Sequence, residues 1–168
     1  MLNFLGFVSR GNMNIEIFEA DKSNLDELFL LAEQFWHESD YNNGRLTLAP
    51  DFWKDTVRQH IGLHDTAAIS ARIDDKIVGY VLIYYQTDYT KERIGEMFQF
   101  YVTPEYRGTQ VSRSLIQAVV DKYEEWGCAR AYCEASPGIS MRDHLALFTN
   151  LWGKFGYKQI GVTLMKDF

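Results

Sequence analysis

Cysteine, proline, positive charge and long apolar runs are all scarce in this chain of 168 residues. The two cysteines, Cys128 and Cys133, are too few and too close to frame a secreted disulfide scaffold or a zinc site, so both read as reduced thiols in a cytoplasmic protein, and no metal is expected. Three prolines and no low-complexity block leave no room for an interdomain linker, which points to one domain. The longest strongly apolar stretch, Ile77 to Tyr85, contains Gly79 and falls far short of the ~20 residues a membrane span needs. Lysine and arginine number 17 against 23 acids, a net charge of −6, which argues against a polyanion held by counterion release and hence against nucleic acid. Residues 1–12 carry an apolar patch without a basic start or a cleavage site. They read as an N-terminal extension ahead of a single domain over 13–168.

Apolar types at 46% and aromatics at 15% are ample for a packed core. Met13 to Phe18 alternates as a strand does, and Ser23 with Asp26 resembles a capping box before Leu25, Leu28, Phe29, Ala32, Phe35 and Trp36 at helical spacing. Pro50 opens a second helix carrying Phe52, Trp53, Val57 and Ile61. Ala67 to Arg72 and Ile77 to Tyr85 form a hairpin through Ile73-Asp74-Asp75-Lys76, and Ile94 to Val102 is apolar on both parities, as a strand covered on both faces should be. A long helix from about Val111 to Gly127, a strand over Ala129 to Ala135, a helix from about Met141 to Phe155 and a short terminal strand after Gly156 complete the order β α α β β β α β α β. The fold class is α/β (α+β).

The informative segment runs from Val102 to Leu115. A buried strand passes through a short loop into a helix, so backbone N–H groups and the positive end of the helix dipole face one point. From Tyr106 to Val120 there are two arginines and no acid, although a helix start normally favours Asp or Glu. An external phosphate acting as the cap accounts for that absence.

Val102, Pro104, Tyr106, Arg107 and Leu115 fall on the phosphate-loop pattern of the GNAT superfamily of N-acetyltransferases, which the chain resembles over its whole element order from Met13 onward. The resemblance implies a mixed, mainly antiparallel sheet of six to seven strands flanked by about four helices. It implies acetyl-CoA as co-substrate, its pyrophosphate held by the backbone of Arg107, Gly108, Thr109, Gln110, Val111, Ser112 and Arg113, with Phe100, Tyr101 and Val102 along the pantetheine and thioester. Several positions depart from the pattern, among them Ser112 at the second small residue and Leu145 and Phe148 at the usual Asn and Ala. Gln110 replaces the first motif glycine, and Trp152 stands where the family's tyrosine protonates the leaving thiolate, a task beyond an indole N–H. The general acid is left open among Ser140, His144 and Tyr157.

Acyl transfer to an amine requires loss of an ammonium proton. Glu96 is the expected base: it lies on the strand leading to the loop, on the face that plain alternation gives to Phe98, Phe100 and Val102. It also stands eleven residues before Arg107, a spacing similar to that of the glutamate in the histone-acetyltransferase branch. A backbone N–H near Tyr101 or Val102 would serve the developing oxyanion, worth ~2.7–4 kcal/mol. Residues 16–55 hold ten acids and three bases, a field that favours a cationic amine acceptor. The expected activity is N-acetyl transfer to a primary amine of a small molecule or protein. A non-catalytic CoA-binding or interaction module on the same fold is the alternative, and assembly as a homodimer is left open.

Overall fold

The computed structural model describes residues 14–39, 47–87, 91–134 and 141–161, the side chains of 141–145 apart. Residues 1–12, Met13 and the stretch after Gly161 lie outside it. Nine elements carry the fold: β1 (Glu16–Glu19), α1 (Leu25–Glu38), α2 (Pro50–Gln59), β2 (Thr66–Ile73), β3 (Lys76–Thr87), β4 (Arg93–Val102), α3 (Gln110–Glu125), β5 (Cys128–Tyr132) and α4 (Met141–Gly153). The strands lie in the order β1-β2-β3-β4-β5, antiparallel except for the parallel pair β4–β5. Five strands are thus found among the described residues where six to seven were expected. Residues 157–161, where the terminal strand was to begin, pair with no strand.

Local chemistry explains most boundaries. Asp74 and Asp75 take positive φ (47° and 62°), the backbone a two-residue I′ turn requires between strands that twist right-handedly. The helix-1 cap differs from the expected one. Asp21, not Ser23, caps the short 3-10 turn ahead of α1, accepting from Ser23 N–H while Asn24 Oδ1 accepts from Asp21 N–H. The Asp21 carboxylate also accepts from the Ser23 hydroxyl, so Ser23 is a donor to the cap rather than the cap itself.

Two apolar cores cover the two sheet faces. On one, Ile69, Val81, Ile83 and Val102 pack against Val111, Leu115, Val119 and Tyr123 of α3. On the other, Ala68, Tyr80, Leu82 and Tyr101 pack against Leu28, Leu31 and Ala32 of α1 and Val57 of α2. Gly95 on β4 makes the α3 contact close: a Cβ there would lie 2.5 Å from the Tyr123 ring. Among the described residues no helix is long and apolar enough to cross a membrane.

Candidate active site

The site begins with a strand pair that separates. β4 and β5 pair from Arg93 with Cys128 to Glu96 with Tyr132, with one register shift after Arg93, and the pairing ends there, although β4 runs on to Val102. On its other side β4 stays paired with β3 to the end, and Thr103 N–H donates to Val78 C=O at 2.9 Å. Antiparallel alternation therefore turns the backbone groups of Gln99 and Tyr101 toward β3, and those of Phe100 and Val102 toward the gap left by β5. Of the two amides considered for an oxyanion, Tyr101 is spent on the sheet and Val102 faces the opening.

A bulge adjusts the side chains. Leu82 pairs with Gln99 and Ile83 with Met97, so Phe98 has no partner in the ladder. One extra residue reverses the parity. Glu96 therefore shares its face with Gln99 and Tyr101, toward α1 and α2, whereas Met97, Phe100 and Val102 pack with the α3 core. The expectation that Glu96 sits on the face of Phe100 and Val102 is corrected by this bulge. All of them still line one cleft of about 960 Å³, bounded by α1, α2, β4, the end of β5 and α4.

Glu96 receives hydrogen bonds from the Tyr84 hydroxyl and the Gln86 amide, and no cation pairs with it among the described residues. Burial first, then the Glu96 hydrogen bond and the charges of Glu96 and Glu134, push the Tyr84 hydroxyl up to about 12, so it stays a donor. Glu134, just past β5, lines the same cleft.

At the other end lies the loop. Thr103 leads into a 3-10 turn over Pro104–Tyr106, and Gly108 takes φ +72°, a left-handed conformation that costs other residues roughly 1–2 kcal/mol. Thr109 caps α3 by accepting from Val111 N–H at 3.3 Å. Gln110 is the first helical residue, exposed and without positive φ, so replacing the pattern's glycine costs no backbone strain. Val111 is fully buried as the anchor of the helix, Ser112 lines the cleft, Arg113 is exposed, and no acid stands in the first turn. The amides of Gln110 and Ser112 point out of the helix start, as they do in any α-helix.

Arg107 reaches backward. Its Nε donates to Val102 C=O at 2.8 Å, its Nη2 pairs with Glu38, and the guanidinium sits over the Tyr101 ring, 5.4 Å from the centroid. Glu38 also accepts from the Tyr101 hydroxyl at 2.6 Å. Burial raises the Glu38 carboxyl, but the Tyr101 hydroxyl and Arg107 outweigh it and hold the group below the usual carboxylate value. Sequence reasoning missed Glu38. Its signal was an acid in the last turn of a helix, where the dipole disfavours negative charge unless a cation compensates.

Gln99 was missed as well. It is a polar residue inside an apolar strand, buried, accepting from the Tyr80 hydroxyl at 2.8 Å while its own Nε2 finds no acceptor among the described residues. Trp152 is 2% exposed, packed between Phe100, Phe148 and Tyr157, and its Nε1 is likewise unpaired there. Of the three acid candidates, Tyr157 has its hydroxyl raised far above the ordinary value by burial and is not among the cleft-lining residues. Ser140 and the His144 side chain fall outside the described residues. Burial pushes the cleft-lining Cys133 thiol up to about 12. Among the described residues no group of three His, Cys, Asp or Glu is placed to hold a metal ion.

The fold has counterparts among solved structures. An aminoglycoside N-acetyltransferase, AAC(6')-Iy in complex with CoA, aligns with a TM-score of 0.72 at 16% identity, over 94% of this chain and 97% of that one. The same enzyme with the bisubstrate analogue CoA-S-monomethyl-acetylneamine gives 0.68 at 18%, over 92% and 97%. A ribosomal-protein-alanine N-acetyltransferase from Brucella melitensis biovar Abortus 2308 gives 0.66 at 20%, over 92% and 99%. At these identities the likeness speaks for the fold. A search of curated proteins by sequence finds no match. The model of the acetyltransferase (GNAT) family matches residues 25–144, and with most of the chain so covered, the protein belongs to the GNAT acetyltransferase family.

Proposed function

We propose that the protein transfers an acetyl group from acetyl-CoA directly to a primary amine, with Glu96 as the base. The observation that carries this reading is the meeting, in one cleft, of an open strand edge at Phe100 and Val102, an acid-free helix start and the Glu96 carboxylate, which pairs with no cation among the described residues. The residues present fit the co-substrate. The Gln110 and Ser112 amides and the helix dipole suit a pyrophosphate, and Arg113 adds positive charge beside them. The Phe100 backbone and the Val102 amide offer a pantetheine chain the hydrogen bonds that β5 does not take, the Val102 carbonyl being held by Arg107. Arg107, committed to Glu38 and Val102, holds the loop against α1 and β4. Acetyl-CoA would supply an activated acyl thioester.

The chain's own groups then handle one proton. An ammonium substrate yields it to Glu96, directly or through one water, and the freed lone pair attacks the acyl carbon. As the C–N bond forms the C–S bond breaks with its electrons going to sulfur, which takes a second proton from nitrogen. The balance is amide, free thiol and one proton released from Glu96 to solvent. Tyr84 keeps the Glu96 carboxylate oriented, and the Val102 amide faces the place where negative charge grows on the carbonyl oxygen.

Calorimetry with acetyl-CoA, followed by thiol release with an amine panel, tests this. Binding and amine-dependent thiol release are expected, and Glu96→Gln should lower kcat/KM by ~10²-fold or more with acetyl-CoA affinity kept. An unchanged rate removes Glu96 from the role. Binding without thiol release for any amine favours a non-catalytic module, the reading to which the buried Trp152 lends its weight.

A further inference from the structure

The cleft carries a pattern that amine transfer in general does not require. Among the described residues six large hydrophobic side chains are exposed, and Phe52 (72%), Phe98 (46%) and Leu147 (68%) of these line the cleft. Concentrated exposed apolar surface marks a binding site. Behind Phe98 the rings continue edge to face, Phe98 to Trp53 at 6.3 Å, Trp53 to Phe35 at 6.5 Å and Phe35 to Tyr101 at 6.1 Å. At its Tyr101 end the wall meets charge, the hydroxyl donating to Glu38 with Arg107 over the ring. Glu38 is neutralised by Arg107, whereas Glu96 and Glu134, the two acids that bear on Tyr84, have no cation among the described residues. Among the described residues of the lining, three carboxylates against one guanidinium leave two negative charges, both at the Tyr84 end.

Resting on the amine-transfer reading above, we infer that the acceptor is a compact arylalkyl primary amine. Its ring lies against Trp53, Phe52 and Phe98, and its ammonium faces Glu96 and Glu134. A polyhydroxylated aminosugar would lay hydroxyls against Phe52, Trp53 and Phe98, side chains that accept no hydrogen bond from them. A linear polyamine would leave the exposed rings uncovered and gain only charge. An aromatic amine satisfies both halves of the lining, with edge-to-face contacts and burial of apolar area on one side and charge neutralisation on the other.

The test measures thiol release from acetyl-CoA with 2-phenylethylamine, spermidine, kanamycin and an N-terminal alanine peptide. Quenching of tryptophan fluorescence by 2-phenylethylamine is followed in parallel. At least ~10-fold higher kcat/KM for 2-phenylethylamine over each of the others supports the inference. Phe52→Ser, a change at an exposed position, and Trp53→Ala should each raise its KM by ~10-fold or more while leaving acetyl-CoA affinity unchanged. A higher kcat/KM for any of the three polar amines overturns the inference and leaves the acetyltransferase reading intact. So does a KM for 2-phenylethylamine untouched by Phe52→Ser. Thiol release with none of the four, although acetyl-CoA binds, overturns both.

Discussion

At Gly95 a single hydrogen stands between strand β4 and helix α3. A methyl group there would meet the Tyr123 ring at 2.5 Å, and the ring, buried between β4 and Trp126, has nowhere to go. Overpacking of this kind costs ~1–3 kcal/mol. Gly95→Ala should therefore lower Tm by ~3 °C or more in a melt followed by circular dichroism. Adding Tyr123→Leu should recover part of the loss, and additive losses would deny the contact. His60 gives a second test. Burial lowers its pKa, against the opposing hydrogen bond between Nδ1 and Thr56 C=O, 2.8 Å apart. A group whose folded pKa is depressed is more readily protonated when unfolded. Stability should thus fall as pH drops below the unfolded imidazole value of about 6.5, until the folded value is passed. Denaturant midpoints at pH 7.5 and 5.5 should differ less in His60→Phe than in the parent, and an equal difference would rule His60 out.

At the scale of elements, the start of α3 sets two effects against each other. Gln110 stands exposed in an acid-free first turn, so Gln110→Glu should favour the helix dipole by ~0.3–1 kcal/mol. The same charge repels a pyrophosphate. The variant should melt slightly higher and bind acetyl-CoA several-fold more weakly, the binding loss shrinking in high salt; a lower Tm, or unchanged affinity, contradicts this account. This loop was legible in the sequence because its signals are local: Pro104, Gly108 and the missing acids lie within a few residues of one another. The strands of the β2–β3 hairpin were legible for the same reason, through Asp74 and Asp75. The bulge at Phe98 was not, since Met97 to Val102 is apolar on both parities and nothing in its own pattern shows where the ladder skips. That slip alone misassigned the face of Glu96. Glu38 was hidden differently: its partners Tyr101 and Arg107 are more than sixty residues away in sequence.

For the whole molecule, the cleft draws on every layer, with α1 and α2 on one wall, α4 on another and β4 as floor. A ligand that binds only this folded arrangement stabilises it by mass action. Acetyl-CoA at 100-fold its Kd should add about 2.7 kcal/mol, seen as a concentration-dependent rise in Tm. The composition, with its net charge of −6, had no means of placing that charge. Among the described residues of the cleft, Glu38 is compensated by Arg107 beside the loop, and the uncompensated pair, Glu96 with Glu134, lies beside Tyr84. The parting of β4 from β5 has one more consequence. Among the described residues it leaves a sheet edge inside the protein, where the Phe100 backbone and the Val102 amide face an opening into which an extended chain of any origin can zip. Without ligand the Phe100 and Val102 amides should exchange with deuterium quickly beside slow neighbours at Gln99 and Tyr101. Acetyl-CoA should close that contrast, acting as the strand the fold never made and guarding the protein against borrowing one from another molecule.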